Sequence, residues 1–219
     1  MIPKILHYIW LGENKTPLAK KCIASYPKYL KDYSIIEWNE SNIDLSKFSK
    51  TLKEKYQFFY EKKRYAFCSD IARLYILKEY GGFYVDADVE FIKPIPDAIR
   101  EIPCLGRCHP TQEIGNGFIW GCEKEDAFVT ACIRWFDEHL QRYSLSYGSG
   151  WIFNNIMRQF FSIFCYDKYN KETQDIIGYR VYPADYFCAM NYNIHKIEKT
   201  ENTIAIHHFA YSWASKNKK

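Results

Sequence analysis

No run of apolar residues in this 219-residue chain approaches the roughly 18 that a membrane-spanning helix needs. Met1-Ile2-Pro3-Lys4 leads straight into strand-like sequence, without the layout of a secretory signal. No C-x2-C pair occurs among the eight cysteines, so the usual spacing of a structural zinc site is missing. No basic stripe is present either. The 30 Lys and Arg are interspersed with 26 Asp and Glu, for a net charge of +4, which argues against nucleic acid as a partner. Only the tail Lys216-Asn217-Lys218-Lys219 is a basic cluster, and it allows at most a peripheral contact with acidic lipid headgroups. Internal repeats are absent as well. These absences give the expectation of a cytoplasmic protein, at most peripheral at the inner face of the membrane.

Cys22, Cys68, Cys132, Cys165 and Cys188 fall in periodic apolar segments, where a reduced thiol packs as a small hydrophobe, so no disulfides are expected. Cys104, Cys108 and His109, followed by Cys122, raise a zinc question, but packed or loop thiols fit the spacing better. Apolar residues make up 47% and aromatics 18%, including 19 Tyr and 15 Phe, far too much apolar surface for a disordered chain. The length suits one α/β domain over residues 1–219, with a small helical excursion near 45–64 that is rich in Lys and aromatics.

Lys4 to Trp10 reads as a buried strand, and the turn through Gly12 and Pro17 leads to a helix around Ala19 to Tyr26. A second strand is expected over Tyr33 to Trp38 and a strong helix over Arg64 to Tyr80, stopped by Gly81-Gly82. Further strands are expected at Cys104 to Gly106, Gly117 to Gly121, Tyr179 to Pro183 and Thr203 to Phe209, with helices at Phe128 to Leu140 and Trp151 to Phe161. This alternation predicts a mixed, mainly parallel sheet with helices on both faces, and sites at the carboxyl ends of the strands.

Phe83 to Ile92 reads as one strand containing Asp86 and Asp88, two apart, so both carboxylates are expected on one face. Like charges so close repel unless a cation lies between them or one is protonated, and hard oxygens beside a cleft suit Mg2+ or Mn2+. A solvated acidic edge strand is the plainer alternative. On the preceding helix Asp70 and Arg73 lie one turn apart, either as a surface ion pair or facing the same cleft. Asn116, between Gly115 and Gly117, is either a turn residue or a contact for sugar or acceptor.

Four ordered segments carry a resemblance: Ile2 to Gly12, Tyr65 to Leu74, Tyr80 to Val89, and His207-His208 with Ser212-Trp213. Together they resemble glycosyltransferase family 32, the DXD sugar transferases that include capsular polysaccharide enzymes and fungal α-mannosyltransferases. The resemblance implies a GT-A fold, a nucleotide-sugar donor, a divalent metal and transfer with retention. It also implies a glycan or lipid-linked saccharide acceptor. By this likeness Trp10 and the loop through Gly12 match the nucleotide-binding opening, where an aromatic could stack on the base. His7 is grouped with these donor-binding residues and is also expected to be buried in the first strand. Asp70 and Arg73 match donor-sugar positions, and Asp86-Ala87-Asp88 the DXD motif. Asp88 would ligate the metal directly and Asp86 would reach ribose or a metal-bound water. His207 or His208 matches the C-terminal metal or diphosphate contact, and Ser212-Trp213 the segment closing over the donor. Asn116 is placed with the catalytic residues. The chain departs from the family at Gly148-Ser149-Gly150-Trp151, where a Thr-Gly-Pro-like loop is expected. A short, bacterial-looking chain favours a UDP-hexose and polysaccharide biosynthesis. Two other readings compete: a metal-dependent phosphoester hydrolase or nucleotidyltransferase, and a glycan- or nucleotide-binding module without turnover.

Overall fold

The computed structural model describes residues 1–140 and 166–210. Trp151, the helix expected around it, Ser212, Trp213 and the basic tail lie outside the described residues. A seven-stranded sheet has the order β2-β1-β3-β6-β5-β8-β7, built from β1 (Ile5–Ile9), β2 (Ser34–Trp38), β3 (Gly82–Tyr84), β5 (Cys104–Arg107), β6 (Ile114–Cys122), β7 (Gln174–Ile176) and β8 (Tyr179–Tyr182). β2, β1, β3, β5 and β8 point one way, and β6 and β7 run against them, so the sheet is mixed and mostly parallel. A ribbon of β4 (Val89–Phe91) and β11 (Ala205–His207) and a small hairpin of β9 (Met190–Asn191) and β10 (Lys196–Ile197) complete the strands.

Period-two alternation sends neighbouring residues to opposite cores. Tyr84, Leu105 and Trp120 pack with α2 (Lys50–Glu61), α3 (Tyr65–Tyr80) and α4 (Ala127–His139) on one face. Phe83, Cys104 and Ile119 pack with α1 (Pro17–Tyr29), the β4–β11 ribbon and the short α5 (Ala184–Phe187) on the other. Burial on both faces explains why β6 reads as a nearly continuous apolar run. Thr16 caps α1 by accepting from the Ala19 N–H at 3.1 Å, with Pro17 in the first turn. The expected excursion contains a 3-10 turn, Leu45–Lys47, followed by α2.

Gly81 and Gly82 take φ of 63° and 87°. A Cβ at Gly81 would lie 2.6 Å from the Lys124 backbone nitrogen, and one at Gly82 2.7 Å from the Ile5 carbonyl oxygen. Both backbone hand and space therefore require glycine where α3 turns into β3. Beyond β3 the expectation fails in an informative way. The single Asp-bearing strand is instead two strands, β3 in the main sheet and β4 in the ribbon, with Asp86-Ala87-Asp88 in the turn between them. The Val89 N–H donates to the Asp86 carbonyl at 3.0 Å, closing that turn. Asp disfavours a central strand and favours such local bonding, so the chain leaves the sheet at this point.

Among the described residues no helix is long and apolar enough to cross a membrane. The seven described cysteines are free thiols, six of them buried, whereas Cys165 lies outside the described residues.

Candidate active site

A cleft of about 690 Å³ opens at the carboxyl ends of β1 and β3. Its floor is the turn 86–88, one wall is the exposed side of α3, and the opposite wall comes from the start of β6 and from His207 and Phe209. Trp10 and the loop after β1 form a rim.

α3 is buried on nearly every side, which is why its apolar stripe is broad and why Asp70 and Arg73 are not a surface pair. Arg73 Nη2 lies 2.8 Å from Asp70 Oδ1 and 3.3 Å from Asp86 Oδ1. Its Nε–H donates to the Ser69 carbonyl at 3.1 Å, and its guanidinium stacks 4.5 Å from the Tyr84 ring centroid. Burial disfavours the Arg73 charge, but Tyr84, Asp86 and Asp70 outweigh that and hold its pKa above normal. The Tyr84 hydroxyl also donates to Asp86 Oδ1 at 3.0 Å. Sequence reasoning missed Tyr84; its signal was a Tyr in a fully buried strand, where the hydroxyl must find a partner.

Asp86 is clamped by its backbone too, since its N–H donates to the Gly117 carbonyl at 2.6 Å. Asp88 accepts from the Ala210 N–H at 2.8 Å and lies 3.2 Å from His207 Nε2. Burial pushes the Asp86 carboxyl up, with the Arg73 charge opposing. Burial would also raise Asp88, but the charge and hydrogen bond of His207 more than reverse it. Burial likewise lowers His207, yet the two carboxylates carry it above its ordinary value.

One ligand atom from each of Asp86, Asp88 and His207 lies within 4.8 Å of the others, the only such group of three among the described residues. His207 Nδ1 is buried with no hydrogen-bond partner. Asp70 and Asp86 share one guanidinium and Asp88 faces His207, so a divalent cation in place of the imidazole proton would meet the carboxylate charge. Two carboxylates and an imidazole also suit Mn2+ or Mg2+ chemically, so these residues fit the implied metal. Cys104, Cys108 and His109 form no such cluster; His109 Nε2 instead sits 3.1 Å from Glu198.

Two sequence-based assignments are corrected. Successive residues of a strand face opposite ways, so His208 turns from the cleft and its Nε2 meets Glu90 Oε2 at 2.8 Å, beside Lys21. His7 is buried in the first strand, as expected, but its donor-binding role falls away because it does not line the cleft. It is fully buried between Gly81 and Trp38, its Nε2–H donating to the Gly81 carbonyl at 2.8 Å and Nδ1 accepting from the Trp38 indole at 3.0 Å. Burial lowers its pKa to about 4 despite the Gly81 bond, so it is a neutral structural residue. Trp10 and Ala87 do line the cleft. Gly12 sits just behind its wall at φ 82°, where a Cβ would be 2.7 Å from the Tyr65 ring.

Asn116 is not in a turn but in β6, within a bulge. Gly106 pairs with Gly115 while Leu105 pairs with Trp120, so residues 116–119 are extra, and the first three of them line the cleft. The Asn116 Nδ2 faces Asp70 Oδ1 at 3.4 Å. Gly117, also missed from sequence, fits against the DXD turn: a Cβ there would lie 2.0 Å from Asp86 Oδ2. We expect Gly117→Ala to displace the Asp86 carboxylate and weaken Mn2+ binding about 10–100-fold, the range for lost support of a metal ligand. Calorimetric Mn2+ titration checks it, with circular dichroism confirming that the fold persists; unchanged affinity would refute the steric argument.

Comparison with known proteins agrees with this geometry. The family described as glycosyltransferase sugar-binding region containing DXD motif matches residues 16–104. Inositol phosphoceramide mannosyltransferase 3 of Schizosaccharomyces pombe is 26% identical over 171 residues, 71% of this chain and 44% of that protein, so the chain spans less than half the length of this curated relative. Among solved structures, the PaToxG glycosyltransferase superposes with a TM-score of 0.57 at 21% identity, over 74% of this chain and 70% of the other. A glycosyltransferase involved in glycosylation of the major capsid of PBCV-1 gives 0.51 at 12%, over 96% and 95%. These two likenesses show the fold, a GT-A-like α/β architecture. Residues 16–104, the stretch that matches the DXD-containing glycosyltransferase region, hold Asp70, Arg73, Asp86 and Asp88.

Proposed function

We propose that this chain transfers a hexose from a nucleotide-sugar donor to a hydroxyl of a glycan or lipid-linked saccharide, with retention of anomeric configuration. The observation carrying this reading is the convergence of Asp86, Asp88 and His207 at the floor of a cleft that also exposes Trp10, Asp70 and Arg73. Asp86, Asp88 and His207 would hold the divalent cation, which when bound neutralises charge developing on the leaving diphosphate. Trp10 offers an aromatic wall to the base. Asp70, fixed by Arg73, accepts from sugar hydroxyls, and Asn116 contributes an amide beside it. Arg73 orients Asp70 and Asp86.

A UDP-hexose is the donor we favour. A mannosyl donor is the second reading, supported by the mannosyltransferase named among the relatives. A thermal-shift screen of UDP- and GDP-sugars with and without Mn2+ separates them. A donor at a hundred times its dissociation constant stabilises by about 2.7 kcal/mol, or roughly 5–10 °C for a chain of this size. The correct donor should give that shift only with metal. Absence of a metal-dependent shift with every donor would sink the reading.

A further inference from the structure

The turn joining α2 to α3 has a feature that the donor site does not use. Lys62, Lys63 and Arg64 are consecutive, Lys63 lines the cleft, and none of the three makes an ion pair with a described residue. From Lys50 to Arg64 six cations face two acids, an excess equal to the net +4 of the whole chain. Positive charge is thus concentrated here.

The backbone adds a second, independent observation. The Lys63 N–H bonds the Tyr60 carbonyl at 2.9 Å and the Arg64 N–H the Phe59 carbonyl at 2.8 Å, the paired bonds of a Schellman helix end. Lys63 occupies its left-handed position, with φ 54°. Glycine is the more stable occupant of that position, because a Cβ is strained there. A lysine therefore stands, at a cost in stability, where its side chain faces the cleft.

Along α3, Tyr65, Ser69 and Arg73 descend from mouth to floor, about 12 Å at the helical rise. Lys63 thus lies at the opposite end of this helix face from Arg73 and the DXD turn it contacts. The geometry points to an anion subsite formed by Lys63, flanked by Lys62 and Arg64, that binds a phosphate carried by the acceptor. This inference rests on the transferase reading of the cleft. The phosphate belongs either to a lipid headgroup or to a soluble phosphorylated saccharide.

Glycerol 1-phosphate is titrated calorimetrically into the full chain, alone and with Mg2+ and UDP or GDP. Wild type and Lys63→Arg should bind it, and Lys63→Gly should bind about tenfold more weakly or worse. Lys63→Gly should also melt about 2–4 °C higher, an increase that a merely structural lysine contact would not give. Cosedimentation with phosphatidylcholine vesicles, with and without phosphatidylinositol, tells the sources apart. Lysine-dependent retention on the anionic vesicles identifies a lipid acceptor, and binding of the soluble probe alone identifies a soluble one. No binding of either probe, or equal binding by wild type and Lys63→Gly, overturns the subsite. Failure of the nucleotide to bind with Mg2+ would count against the transferase reading instead, since the phosphate titration without nucleotide decides the subsite by itself.

Discussion

Asp88→Asn is expected to lower sugar transfer about a thousandfold or more while leaving the fold intact. The asparagine is nearly isosteric, and its oxygen can still accept from the Ala210 N–H that Asp88 now holds at 2.8 Å. Packing is therefore preserved. What disappears is one of the three negative charges that gather beside His207 and Arg73. Cation stabilisation of a leaving diphosphate is worth several kcal/mol, and each 1.36 kcal/mol is tenfold in rate. Losing about 4 kcal/mol gives the thousandfold estimate. The checks are the transfer rate at saturating Mn2+, calorimetric binding of nucleotide with and without metal, and circular dichroism. A variant that transfers sugar normally would remove Asp88 from the mechanism.

Arg73→Met should damage stability as much as activity. The guanidinium is buried, with a side chain only 4% exposed, and it is the counter-charge to both Asp70 and Asp86. Removing one member of a buried ion pair strands the other and typically costs about 3–5 kcal/mol. Two carboxylates share this arginine, so the loss should reach the upper part of that range. For a chain of this size it corresponds to a fall in melting temperature of roughly 10–15 °C. The sign of its pH dependence follows from Asp86, whose pKa burial already raises and which Arg73 now restrains. Without Arg73 the carboxyl rises further, so native Asp86 binds a proton that the unfolded chain has released. In metal-free buffer the deficit of the variant should therefore be larger at pH 8 than at pH 5. Melting curves at the two pH values test this, and an equal deficit at both would show that stranded charge is not the cause.

Much of this architecture was readable because it is written in local patterns. The β-loop-α opening, the helix ended by Gly81-Gly82 and the late strand ending in His207 were all visible as periodicity and turn chemistry. The Asp70–Arg73 pairing was visible as a one-turn spacing, though its burial was not. The errors share a cause. Apolar residues around Asp86 and Asp88 read as one strand because β3 and β4 are each apolar, and nothing local marks the change of sheet between them. His208 was drawn toward the site by its neighbour His207, while strand alternation turned it to Glu90; His7 was legible as a buried strand residue, and that burial is what keeps it from the donor.

Gly117 and Tyr84 show the same limit from the other side. Their importance lies in what comes near them from elsewhere in the chain, an Asp86 oxygen and the Arg73 guanidinium. A bulge of four residues in β6 brings Gly117 to Asp86, and only the pairing with β5 creates that bulge.

The α/β class, the order of most elements and the residue types able to hold a cation are legible in the chain, because they depend on spacing within a few helical or strand turns. Which histidine meets the two aspartates, how two acids share Arg73 and that Lys63 lines the same cleft follow from long-range packing. Asp88 meets its partner Ala210 from 122 residues away, and contacts at that separation are set by sheet order and register, which no local stretch of chain encodes.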